Sequence, residues 1–547
     1  MKYFFLILGI ILLNCSSLAF SRNACGTSQL IQNLREQGKS IHSLLSSKPQ
    51  ARTATSICTD DDYYDSVYSR TTNHFEIFYT LEGPHKTIPE FIDTLAKYLE
   101  YAWDFHVNKQ GMLPPLGVSE AYHYQQKVQK GLYAIEVIDV DLLRDTKIIF
   151  NGSCYKCFAL TLPFDSTQSE IFIDNDFRYA PATKQIKDTV HYNGKNCSYP
   201  QATEELFNTA HNYSYAKQWN KGLQVTTAHE LYHSSQLRYL DMLLYFNFWF
   251  EASASGIEEI VAPDVDDYFS YLPAMSKIVG TPLDRMTQDY AAGLLLLYLY
   301  NHVDYSTDKS IWESYAKHPS KSFQYQLSQA VKKKNLSPDS LFNDFATRLS
   351  FAGKRSALVD SSFWITSDQP NWPDFTTLSK NETFEAEYLG NLAYRFYIGG
   401  KPNLTKFTGT ASAATLNNNL YSIHLLPTAN SVDSISKRNF GNINPDSTLW
   451  ILSRFSETER IPSIIQDSTL RAYPTPWRHG NLCFTPLPQN KDYLEIRNRR
   501  GNLITRIKYD QFTHCLDESE VKSLLVPGVY RFRAGNKGKL KDFIIVY

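Results

Sequence analysis

Two histidines one helical turn apart, with a glutamate beside the first, are the residues of this sequence best suited to chemistry: His229-Glu230-Leu231-Tyr232-His233. On a helix, residues four apart share a face, so both rings can turn a nitrogen toward one ion. Glu230 lies one step round the helix, where its carboxylate reaches water beside the ion without becoming a ligand. A metal in such a site lowers the pKa of a water from about 15.7 to about 7, so that a carboxylate deprotonates it near neutral pH. The third ligand is expected at Glu251, in Phe248-Trp249-Phe250-Glu251-Ala252-Ser253-Ala254. The interval beyond His233 lets the first helix finish and an antiparallel helix bring its first carboxylate back. Two histidines and a glutamate leave a fourth position open, as in zinc sites that do chemistry.

The bare pattern is short enough to arise by chance, so its surroundings matter. Thr226 and Thr227 are expected to supply N-cap oxygens before Ala228, and Val225, Leu231, Leu237 and Leu240 form an apolar stripe at helical spacing. Phe246, Phe248, Trp249 and Phe250 read as core packing that would also form a dry wall beside the ion.

The two histidines with a later glutamate resemble the gluzincin clan of zinc metallopeptidases. More closely, His229 to His233, then Trp249-Phe250-Glu251-Ala252-Ser253-Ala254 and Glu258-Glu259, resemble a family of secreted bacterial metallopeptidase-like proteins. His74 to Tyr79 is similar to the opening strand of that family, Pro89 to Trp103 to its first long helix, and Asp289 to Gly293 to a later helix start. The resemblance spans about residues 70 to 355 and implies a zincin-like domain, a small mixed sheet with a zinc-binding helix pair. It implies zinc on His229, His233 and Glu251, with Glu230 as general base. Many gluzincins carry an aspartate four residues after the ligand glutamate; here that position is Ser255, which leaves support of a zinc histidine to Glu258 or Glu259. The family's glycine after the ligand is Ala252. The Gly-x-Met-Glu-Asn segment that anchors substrate amino termini in related aminopeptidases is missing, which favours an endopeptidase. An oxyanion needs a donor, and Tyr290 is the choice, with Tyr268 and Tyr271 as alternatives among 36 tyrosines.

The chain has 547 residues, 43% apolar, enough for several domains with ordinary cores. A formal net charge of −1 argues against nucleic acid or an anionic membrane as partner. Met1-Lys2, the apolar run Tyr3 to Leu13 and Ser17-Leu18-Ala19 form a secretory signal over residues 1–19. The alternative is a lipoprotein beginning at Cys15, although Asn14 fits a lipobox poorly. No later segment has the roughly 18 apolar residues that an integral membrane span requires.

Seven of the eight cysteines follow the signal, an odd number for an oxidising compartment. Cys25 with Cys58 and Cys483 with Cys515 are the first pairings to test, and Cys154 or Cys157 is expected in a disulfide with Cys197. Residues 20–70 are polar, with a helix-like stretch from Leu30 to Leu45, and read as a lead segment or a propeptide. Residues 71–370 are expected to form the metallopeptidase-like domain, α+β in class, with strands near Phe75 to Tyr79, Tyr133 to Val140 and Glu170 to Asp174. Residues 371–470 read as a β-rich domain and 471–547 as a separate β module. Tyr473-Pro474-Thr475-Pro476, the turn from Asn498 to Gly501 and Leu525-Val526-Pro527-Gly528-Val529-Tyr530 resemble the C-terminal sorting domains of type IX secretion. That resemblance implies a secretion machinery as partner, whereas an ordinary accessory β-sandwich is the alternative.

The sequence thus points to a secreted or surface-attached bacterial zinc endopeptidase acting on protein or peptide substrates. The competing function is a non-catalytic surface binding protein that retains the fold. Such a protein has no need of the base Glu230.

Overall fold

The computed structural model describes Thr27, Ser28, Leu30 and Ile31, residues 66–140 except 82–84, residues 157–177 except 165, 166 and 176, the backbone of 186–192 and 195–201, and residues 219–270 except 246. Beyond these it describes 280, 282–284, 290–366, 376–377, 383–385, 391–399, 401–403, 407–417, 420–426, 448–457 and, with interruptions, 470–546. The expected signal at 1–19 and most of the lead segment expected at 20–70 lie outside the described residues. The chain is a mixed α/β protein with several sheets and divides into two compact units, one reaching Arg460 and one formed mainly by Ile461–Tyr547.

Five strands make the sheet of the first unit: β1 (Tyr68–Thr71), β2 (Phe75–Tyr79), β3 (Tyr133–Ile138), β4 (Ala159–Pro163) and β5 (Ser169–Asp174), in the order β1-β2-β3-β5-β4. The inner pairs β2–β3 and β3–β5 are parallel, while β1 and β4 run antiparallel at the edges. Because side chains alternate along a strand, Phe75, Ile77, Ile135, Val137, Ile171 and Ile173 turn to one face, and Phe78, Ala134, Ile138 and Phe172 to the other.

Two helices cover the first face. Helix α1 (Pro89–Trp103) starts on a proline, whose fixed φ suits the first helical turn, and buries Phe91, Ile92, Leu95 and Leu99. Helix α2 (Trp219–Gln236) adds Leu223, Val225 and Leu231 to the same core. The opposite face buries Glu136 on β3 and Glu170 on β5, hydrogen-bonded to one another. Burial raises both carboxyls, Glu136 to about 7, and the neighbouring Glu136 charge drives Glu170 further up.

Helices α3 (Trp249–Val261), α4 (Gly293–Tyr298), α5 (Thr307–Lys317), α6 (Phe323–Lys332) and α7 (Pro338–Leu349) build a second core on the other side of α2. Helices α3 and α4 cross at Gly256 and Gly293. A Cβ on Gly256 would lie 2.7 Å from the Gly293 carbonyl oxygen and 2.8 Å from Leu296 Cβ.

The boundary expected at 370/371 is not a boundary of packing. A five-stranded sheet that includes Ala393–Ile398, Thr410–Asn417 and Leu449–Arg454 shares one core with α7, through Phe342, Phe345, Tyr394, Phe396 and Ile451. Asn343 on α7 donates to the Thr410 carbonyl at 3.1 Å and to the Ser453 hydroxyl at 2.8 Å. The sheet is therefore part of the first unit, and the composition shift at 370 marks only a change from helix to strand.

In the second unit, the strands Leu503–Lys508, Tyr493–Asn498, Gly528–Ala534 and Lys541–Ile545 pair in that order, all antiparallel. The turn at Asn498–Gly501 places Gly501 at φ +88°, where a glycine is favoured. Glu495 is buried beneath Arg497, Arg506 and Arg533, which together hold its carboxyl well below the usual range. Cys515 is disulfide-bonded, and Cys483 is its cross-strand partner in register. Among the described residues, no helix is long and apolar enough to cross a membrane.

Two outcomes follow from this packing. Gly256→Val forces α3 from α4, and overpacking of this kind lowers unfolding free energy by roughly 1–3 kcal/mol in a urea titration. The Glu136–Glu170 pair has folded pKa values above the ordinary carboxyl value of 4.5, so its contribution is fully present below that value and is lost as pH rises through about 7. Stability measured across that window falls in the wild type, and Glu170→Gln, which keeps a donor for Glu136, flattens the profile.

Candidate metal centre

Helix α2 begins a full two turns earlier than the threonines suggested. Thr226 and Thr227 lie in its interior, and the Thr227 hydroxyl returns to the Leu223 carbonyl at 2.7 Å instead of capping an end. Leu223 and Leu231 on one side, and Ala228 and Tyr232 on the other, belong to the two cores that clamp the helix. Every side chain from Val225 to Gln236 is consequently buried, including the two histidines. Their rings stand 4.5 Å apart between centroids, at 88° to one another.

Helix α3 returns antiparallel, and its first turn carries Glu251. One carboxylate oxygen lies 3.2 Å from Nε2 of His229 and the other 3.4 Å from Nε2 of His233. All three ligand atoms fall within 4.8 Å of one another, and all three residues are buried. His229, His233 and Glu251 therefore form a group that could hold a metal ion.

The donors around this group fit a cation. Nδ1 of His229 donates to Glu258 in a short contact, and Nδ1 of His233 donates to Oε1 of Gln236 at 2.7 Å. With both Nδ1 atoms engaged, both Nε2 atoms are left to face Glu251; that of His233 makes no hydrogen bond although it is buried. This is the outer-shell pattern that fixes the tautomer and orientation of metal-binding imidazoles. Of the two glutamates offered in place of the missing aspartate, Glu258 takes the supporting role, while Ser255 is buried and its hydroxyl makes no hydrogen bond. Burial lifts the Glu258 carboxyl to about 7 against the opposing pull of His229.

The Glu230 carboxylate meets the edge strand. Its Oε2 accepts from the Thr161 hydroxyl of β4 at 2.7 Å and from the Thr27 hydroxyl at 3.1 Å. Tyr290 is partly buried, and its ring stacks on that of His229 with centroids 6.1 Å apart. Tyr268 instead packs in the helical core with its hydroxyl 3.2 Å from that of Thr366, and Tyr271 lies outside the described residues. Phe250 stacks on His233 at 4.0 Å, so the expected dry wall begins at that ring.

Three residues that motif reading passed over complete the centre. Gln236 joins the two helices, because its amide also donates to the Phe250 carbonyl at 3.1 Å and the Ser253 hydroxyl at 2.9 Å. His106 holds the Ala228 carbonyl at 2.8 Å, immediately before the first metal-facing histidine, and burial lowers its pKa to about 4, which keeps it neutral. Asp308, at the start of α5, takes Trp249 Nε1 at 2.7 Å and the Tyr232 hydroxyl in a short bond, tying α2 and α3 together from behind. Gln236 lies three residues after His233 and was the one within local reach; the other two come from elements remote in sequence. Cys157, near β4, is disulfide-bonded, while Cys25, Cys58 and Cys154 lie outside the described residues.

No protein-family model matches the chain, and no curated protein matches it. Among solved structures, similarity is found to PorZ, described as an essential bacterial surface component of the type-IX secretion system of Porphyromonas gingivalis. The identity is 16% and the TM-score 0.14, over 18% of this chain and 14% of that one. A likeness so short and loose carries no argument about fold or function.

Outer-shell partners of metal-binding histidines contribute about 10- to 100-fold to metal affinity. Glu258→Ala and Gln236→Ala are each expected to weaken metal binding by that factor, measured by competition with a chromogenic chelator, while the far-ultraviolet circular dichroism stays unchanged.

Proposed function

We propose that this chain is a zinc-dependent endopeptidase of the gluzincin type, in which His229, His233 and Glu251 hold the ion and Glu230 is the general base. One observation carries the reading: the two Nδ1 atoms are tied to Glu258 and Gln236, which leaves two nitrogens and the Glu251 carboxylate converging in a buried site. Imidazole nitrogens with one carboxylate suit zinc rather than magnesium or calcium, which prefer all-oxygen shells. A bound zinc ion supplies a Lewis acid and an acidified water.

The remaining work falls to the chain itself. Glu230 accepts the proton of the attacking water and delivers it to the leaving amine. Strand β4 is an antiparallel edge whose Thr161 touches Glu230, so a peptide laid along it as an added strand would pass the base. This mixed sheet with an antiparallel edge beside a histidine-bearing helix supports the zincin-like reading of the fold. The Tyr290 hydroxyl is the candidate donor to the oxyanion, since its ring is already seated against His229.

Export through the signal at residues 1–19, or anchoring by lipid at Cys15, accounts for disulfides in the chain. The second unit, with its Asn498–Gly501 turn and its strand from Gly528, is read as a type IX sorting module that delivers the enzyme to the cell surface. Its partner would be the secretion machinery; those of the first unit are protein or peptide substrates.

Glu230→Gln is expected to retain stoichiometric zinc and lose about 10²- to 10⁴-fold in cleavage of a mixed peptide library, whereas His233→Ala loses both zinc and cleavage. Undiminished cleavage by Glu230→Gln would remove the mechanism. Zinc bound without any cleavage by the wild type would favour the non-catalytic binding protein.

A further inference from the structure

Two residues close to the start of the exported chain, Thr27 and Ser28, reach the centre. Thr27 and Ser28 are followed within one turn by Leu30 and Ile31, and Thr27, Leu30 and Ile31 are 0%, 1% and 0% exposed. The Thr27 hydroxyl accepts from the backbone N–H of Thr161 at 2.7 Å and donates to Glu230 Oε2 at 3.1 Å. One hydroxyl thus occupies both the outward-facing amide of the edge strand and the base. The Ser28 hydroxyl donates in a short contact to Oε1 of Glu251, the oxygen that faces His233.

Two aliphatic side chains hold these hydroxyls in place. Leu30 enters the core on the far face of the sheet, with Phe78, Tyr124, Leu160 and Leu162. Ile31 enters the helical core that includes Met112, Tyr232 and Tyr239. Burial of both side chains removes their apolar surface from water and anchors the segment.

We infer that Thr27, Ser28, Leu30 and Ile31 form an intramolecular plug of the zinc site, and that a peptide reaches β4 and Glu230 only after these residues have left. The inference rests on the peptidase reading above. It assigns these four residues a function in latency and makes them the first ligand of the cleft. A substrate strand and the plug compete for the same amide, Thr161 N–H. A water beside Glu230 and the Thr27 hydroxyl compete for the same carboxylate oxygen.

The test uses the full exported chain and two double variants, Leu30→Asp with Ile31→Asp to expel the segment, and Thr27→Val with Ser28→Ala to remove its hydroxyls while keeping its shape. Two readouts are followed: hydrogen exchange of the Thr161 amide, which needs no metal, and the rate at which a chelator strips loaded zinc. Local release of a protecting segment is expected to speed both by on the order of tenfold or more in each variant, and a synthetic peptide of residues 24–34 added in excess should reverse the change in the aspartate variant. Unchanged exchange and stripping in folded variants would overturn the plug. Global unfolding of the aspartate variant would also overturn it, because a segment that must leave cannot be required for the fold. Faster Thr161 exchange in protein that binds no zinc would uphold the plug and refute the zinc reading, so the two failures are distinguishable.

Discussion

The whole arrangement depends on a helix that is polar in sequence and dry in structure. From Val225 to Gln236 no side chain of α2 is exposed, yet the segment contains threonines, serines, histidines, a glutamate and a glutamine. A buried polar group without a partner costs about 1–3 kcal/mol, and a buried charge more. Such a helix is stable only if its neighbours are built to satisfy it. The neighbours can be named: Thr161 from the sheet edge, Tyr133 from β3 for Ser234, His106 for the Ala228 carbonyl, and Glu258, Ser253 and Glu251 from α3.

This requirement explains why the architecture is so closely coupled. Helix α3 must lie near enough for its carboxylates to reach two imidazoles, and the glycine contact between α3 and α4 permits the tight stacking behind it. Asp308 fixes α2 and α3 from a third helix, and burial raises its carboxyl well above the usual range. Within this polar cluster two imidazole nitrogens and a carboxylate converge on a single point. A metal ion is a group that could engage them together. The hydroxyls of Thr27 and Ser28 meet the outer edge of the same polar cluster.

How much of this could be read from the residues depends on the range over which each relation acts. His229 and His233 were legible because a helix brings residues four apart together without help from the rest of the fold. The strands around Phe75, Tyr133 and Glu170 were legible because apolar residues there recur at strand spacing between turns. Thr226 and Thr227 misled as caps: threonine favours helix ends when exposed, but the flanking apolar residues Leu223 and Leu231 extend the helix through them. The supposed domain boundary at 370 misled for a related reason, because a change of secondary structure is visible in composition and a shared core is not. Thr161, His106 and Asp308 act across long sequence separations, and nothing local distinguishes them from other threonines, histidines and aspartates. The same holds for Thr27, whose partners lie 134 and 203 residues away.

The central claim is that the convergence of His229, His233 and Glu251 holds zinc. X-ray absorption at the zinc K edge, on the chain purified without added metal, tests it most directly. The account predicts one zinc per chain with imidazole nitrogens and a carboxylate oxygen at about 2.0–2.2 Å and no sulfur. Absence of zinc, or a shell dominated by sulfur at about 2.3 Å, would contradict it.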